Sequence, residues 1–109
     1  MSTPLVDSQK PWNTTTERPA GLEIILLKRT YVLPWRQFLY AEGGDDEIRV
    51  VFTTHDVVVK GSGLNSLLTE FGAERISRLQ EPARADRFAT GTTPFIRELS
   101  VVEAEPGSN

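Results

Sequence analysis

The feature that most constrains this chain is the stretch Glu47-Ile48-Arg49-Val50-Val51-Phe52-Thr53. Ile48, Val50 and Phe52 fall at every second position, so in an extended chain they share one face, while Glu47, Arg49, Val51 and Thr53 share the other. A second β-rich run, Val57-Val58-Val59-Lys60, follows after Thr54-His55-Asp56, and the pair predicts a hairpin. Gly43-Gly44-Asp45-Asp46 supplies a turn just upstream. The result is an expected meander over 38–42, 47–53 and 57–61.

Directly after it, Leu64, Leu67, Leu68 and Phe71 recur at helical spacing and form one apolar stripe. Ser62 is placed to cap this helix and Gly72 to end it. The stripe is expected to lie on Ile48, Val50 and Phe52 or on the opposite face of the sheet.

Upstream, Gly21 to Leu33 reads as one strand up to Pro34, with a helix competing over Ile24–Leu27. Pro34 suits the start of a helical turn at 34–37, followed by extended chain; a two-turn helix is the alternative. Arg75–Gln80 and Phe95–Val102 read as strands. On the latter, Phe95, Arg97, Leu99 and Val101 share a face. The intervening 82–94 reads as a long loop that is mobile, functional, or conceals a helical turn.

The expected fold is therefore α+β: a mostly antiparallel sheet of five or six strands with one amphipathic helix on a face. Nine of the first twenty residues are Ser, Thr or Pro, so 1–20 reads as a disordered tail, with Trp12 able to dock on the domain or on a partner. Residues 21–103 form the single domain and 104–109 a second tail. A domain of that size buries only about 60–65% of its unfolded surface. With no cysteine to staple it, self-association is a reasonable source of added stability, and a homo-oligomer, a dimer first, is expected.

Composition narrows the chemistry. The absence of cysteine excludes disulfides, thiol catalysis and Cys-ligated metals, and a single histidine excludes a multi-His site within one chain. No cofactor and no metal are expected. Hydrophobic residues make up 39% and charged residues 25%, as in an ordinary soluble chain. No apolar run is long enough to span a membrane, and the N-terminus lacks a secretory pattern, so a cytoplasmic location is the default expectation. The net charge of −3 argues against a strongly nucleic-acid-binding surface, though it leaves room for a local basic patch.

Four groups of residues have a functional reading beside a structural one. His55-Asp56 resembles an acid–base pair, but neighbours on a strand face opposite ways and no Gly-x-Ser-x-Gly elbow exists; a turn is the primary reading and a hydrolase the remote one. Lys60-Gly61-Ser62-Gly63, placed between strand and helix, can cradle an anion through its amides, although it lacks P-loop spacing. Arg75, Arg78, Arg84 and Arg87 form the most basic span and could hold a phosphate-bearing partner or nucleic acid. Tyr31, Trp35, Phe38 and Tyr40 cluster around Pro34; aromatics so spaced are core or, where exposed, interface anchors, with Tyr31, Trp35 and Phe38 the candidates.

Gly43-Gly44-Asp45-Asp46-Glu47 is similar to the Gly-Gly-acidic hairpin of diguanylate cyclases but departs from it in its last two residues, and the chain is too short for that fold; a solvated turn is the reading kept. Over residues 30–80, Pro34-Trp35, Leu39-Tyr40-Ala41-Glu42, Phe52 to Val57, Gly61 and the helix leucines resemble small uncharacterised bacterial domains, a likeness that implies no activity. Small RNA-binding barrels of the Sm type are a more distant analogy, with the helix on the other side of the strands. The leading functional expectation is a non-enzymatic interaction module that self-associates through an edge strand or the aromatic group near Trp35. Anion or nucleic-acid binding is the alternative, and a separate protein partner is also possible.

Overall fold

A computed structural model describes residues 12–82 and 95–104. The chain is α+β, but the described residues form eight strands in two sheets of four rather than five or six in one. In chain order the strands are β1 (Trp12–Thr14), β2 (Gly21–Ile25), β3 (Thr30–Pro34), β4 (Phe38–Gly43), β5 (Glu47–Phe52), β6 (His55–Ser62), β7 (Ile76–Gln80) and β8 (Phe95–Glu103). The helix α1 covers Asn65–Ala73. One sheet runs β1-β7-β2-β3, the other β4-β5-β6-β8.

The second sheet is the expected meander with β8 added, antiparallel throughout. Alternation sends Ile48, Val50 and Phe52 of β5, with Val57 and Val59 of β6, into one core. The β5–β6 turn is tighter than expected: Val51 faces Asp56 across the ladder, so His55 and Asp56 belong to β6 and only Thr53-Thr54 turn the chain. A register shift at Lys60/Gly61 changes which side chains of β8 face inward. Ile96 and Leu99 are buried while Phe95 and Arg97 are half-buried, so the strict alternation expected for this strand fails at its start.

The first sheet departs most from expectation. Gly21–Leu33 is not one strand. It folds back at Leu26–Arg29, where the Leu26 N–H donates to the Arg29 carbonyl at 2.8 Å and the Leu27 N–H donates to Glu81 Oε1 at 2.8 Å. β2 pairs antiparallel with β3 and parallel with β7. Trp12–Thr14, inside the expected tail, adds a strand on β7, with Trp12 opposite Leu79 and buried. The ordered domain therefore starts earlier than residue 21. The remainder of both expected tails, residues 1–11 and 105–109, and the 83–94 stretch lie outside the described residues.

The expected turn after Pro34 is present as a 3-10 turn at Trp35–Gln37, followed by β4. In α1, Leu67 and Phe71, together with Leu64 at its entry, are wholly buried, whereas Leu68 is only partly so. Among the strands, α1 comes closest to β4. Gly72 does not end the helix; Glu74 does, in the left-handed conformation (φ 57°), with its N–H donating to the Glu70 and Phe71 carbonyls. The Arg18 guanidinium holds the Glu74 carboxylate at 2.7 Å, which fixes that terminus from the β1–β2 connection.

Candidate interaction surface

The amides at Gly61, Gly63 and Leu64, offered by the sequence as part of an anion cradle, are taken up by the acidic turn of the same chain. The Gly63 N–H donates to Asp45 Oδ2 at 3.1 Å, the Leu64 N–H to the Asp45 carbonyl at 3.0 Å, and the Gly61 N–H to the Asp46 carbonyl at 2.9 Å. The acidic turn is thus more than a solvated bend: Asp45 supplies the negative charge that a helix entry favours. α1 has no side-chain cap, so Ser62 does not serve as one. Gly61 is explained by packing, because a Cβ there would sit 1.9 Å from the Phe95 carbonyl oxygen of β8. Lys60 is exposed, its Nζ 4.0 Å from Glu98.

His55 and Asp56 point apart. Asp56 Oδ2 accepts from Arg49 Nη2 at 2.6 Å and Nε at 3.2 Å; hydrogen bonding to Asp56 and its charge hold the Arg49 guanidinium above its ordinary range. His55 Nδ1 instead meets Thr54 Oγ1 at 2.8 Å, and the ring stands edge-on to Tyr31 with centroids 5.5 Å apart. No His–Asp dyad forms. Of the arginine span, Arg75 faces Glu70 (3.7 Å) and Arg78 faces Glu23 (3.1 Å), each paired within the chain. Arg84 and Arg87 lie outside the described residues. Among the described residues no group of three or more His, Asp or Glu stands close enough to hold a metal ion.

The aromatic group divides. Trp35 is a core residue, 1% exposed, and not a surface anchor. Its indole packs with Phe38, Phe52 and Phe71 at centroid separations of 5.1, 5.9 and 6.0 Å. Phe38 is half-buried against the same core. Tyr31, half-buried on β3, and Tyr40, 49% exposed on β4, keep places at the rim of the fold. Two arginines that the sequence did not single out, Arg18 and Arg36, flank a cleft of about 480 Å³ floored by Pro19, Ala20, Pro34 and Trp35. Arg18 is already engaged by Glu74, so the cleft is partly neutralised from within.

The sheet edges are more informative. An antiparallel strand directs the backbone groups of alternate residues to alternate sides. The β2–β3 ladder is bracketed by Leu26 N–H to Arg29 C=O and Trp35 N–H to Ala20 C=O, so Tyr31 and Leu33 bond inward to β2. Thr30, Val32 and Pro34 consequently direct their backbone groups outward, where no described strand pairs with them. Val32 is 66% exposed at the middle of this edge.

The other three edges are each protected in a way proteins commonly use. β8 carries Arg97, Glu98 and Glu103 and meets the register shift on β6. β4 has α1 beside it and an irregularity between Phe38 and Tyr40. β1 is three residues long and irregular at Asn13/Thr14. β3, Thr-Tyr-Val-Leu-Pro, has no charge and no irregularity; Pro34 at its end is its one blunting device. The hydrophobic and β-propensity signals of this edge were visible in the sequence, but its being an edge was not, because that depends on which strands fail to pair.

Comparison with known proteins gives no matching family model, no matching curated protein and no matching solved structure.

Proposed function

We propose that this protein is a non-enzymatic interaction module that self-associates through a free sheet edge. The observation that supports it most is β3, an edge that no strand among the described residues pairs with, without charge or bulge, whose central side chain, Val32, is two-thirds exposed. Exposed edge strands of that kind pair with other strands unless something blocks them. Of the aromatic group near Trp35, Trp35 itself is enclosed by the chain's own core, whereas Tyr31 lies on β3 and belongs to the same edge. Sedimentation velocity from about 10 µM to about 1 mM tests the reading, a range suited to weak association. The expected result is a sedimentation coefficient that rises with concentration; a single monomeric species throughout overturns it.

A further inference from the structure

We infer that the occupant of the β3 edge is β3 of a second copy, antiparallel, about a two-fold axis through Val32. This rests on the self-association reading above and specifies its site and register.

The hydrogen-bonding groups on the edge are self-complementary. With Val32 opposite Val32 of the second copy, the two valines exchange N–H and C=O bonds, as an antiparallel hydrogen-bonded pair does. Thr30 then lies opposite Pro34 of the second copy. The Thr30 N–H donates to that proline's carbonyl, and the missing proline N–H removes only one further bond at each end. Registers centred on Tyr31 or Leu33 are also symmetric, but the first brings Lys28 and Arg29 of the β2–β3 turn into the ladder and the second sets Val32 against Pro34, which has no N–H to give. Parallel self-pairing cannot be made by a two-fold axis perpendicular to the strands.

The side chains agree with this register. On the outer face, Val32 meets its own copy, which covers the most exposed large hydrophobic among the described residues. On the core-facing side, Tyr31 comes opposite Leu33 of the second copy, extending the apolar rim. No charged residue lies within Thr30–Pro34, so no like charges are brought together inside the ladder. Pairing through a five-residue strand is a small contact beside the roughly 1,200 Å² or more of specific stable interfaces, so a reversible, concentration-dependent dimer is expected.

The test uses the full chain and exploits its lack of cysteine. Val32→Cys is treated with a short bismaleimide, with Val102→Cys, exposed on β8, as the control. Covalent dimer is expected from Val32→Cys and little from the control. In parallel, Val32→Lys is expected to weaken association roughly tenfold or more by setting two ammonium groups face to face, while Val102→Lys leaves it unchanged. Both positions are over half exposed, and circular dichroism confirms that the variants fold. A dimer weakened by Val102→Lys but not by Val32→Lys, or cross-linked only through residue 102, overturns the β3 assignment and leaves self-association standing. A strictly monomeric parent chain overturns both.

Discussion

The Trp35 indole N–H donates to the carbonyl of Ile76 at 2.9 Å, a buried bond between residues 41 apart in sequence. It links the turn between the two sheets to the first residue of β7, at the point where Phe71 of α1 also meets the indole. Trp35→Phe keeps most of the apolar volume but leaves a buried carbonyl without its donor, which costs about 1–3 kcal/mol. Urea denaturation should show a lower midpoint with an unchanged slope.

Two adjacent leucines on α1 separate core from rim. Leu67 is fully buried and Leu68 is partly exposed. Leu67→Ala is expected to cost about 2–5 kcal/mol, enough to unfold much of so small a domain, and Leu68→Ala clearly less. Equal losses in thermal denaturation would contradict the helix orientation.

Two glycines should respond with opposite signs. Gly61→Ala places a methyl group 1.9 Å from the Phe95 carbonyl, so β8 must leave β6; the expected cost is at least about 3 kcal/mol. Gly72 lies within α1, and a methyl group added there would meet nothing within 4 Å. Gly72→Ala should stabilise by about 0.5–1 kcal/mol, by lowering the entropy of the unfolded chain. Differential scanning calorimetry of the pair reads both signs.

Asp45 acts on a helix it does not belong to. Asp45→Ala removes the acceptor for the Gly63 N–H and should cost about 0.5–2 kcal/mol, while Asp45→Asn retains an acceptor oxygen and loses less. If the carboxylate fills the anion position, phosphate should raise the melting temperature of Asp45→Ala more than that of the parent. An equal rise in both would argue against such a position.

The Arg49–Asp56 pair is well formed but lies on the solvated face of the meander, with the arginine side chain half exposed. Solvent screening makes such pairs worth little, so Arg49→Ala should leave the denaturation midpoint nearly unchanged. The effect should shrink further in high salt.

These positions show why the sequence revealed some of the fold and not the rest. The meander and α1 were legible because Ile48, Val50 and Phe52 keep a period of two, and Leu64, Leu67 and Phe71 keep a helical one. The β2–β3 turn was not, since Leu26-Leu27-Lys28-Arg29 contains no glycine or proline to announce it; its hold comes partly from Glu81, 54 residues away. β1 was hidden because one buried tryptophan does most of its anchoring within a polar stretch. Glu74 took the left-handed position that glycine usually fills, so Gly72 drew attention to the wrong residue. At the candidate surface, Tyr31 was legible as an aromatic near the rim. The exposure of Val32 was not, because a β-branched apolar side chain reads as interior until its missing neighbour is known.

The parallel pairing of Glu23–Ile25 with Arg78–Gln80 has a consequence for biosynthesis. A nascent chain emerging from its N-terminus must hold β1 and β2 without their central neighbour until more than fifty further residues have been added, because β7 lies between them in the sheet. Until then the flank of β2 is open to other strands, so a nascent chain on a crowded polysome is exposed to wrong pairing there.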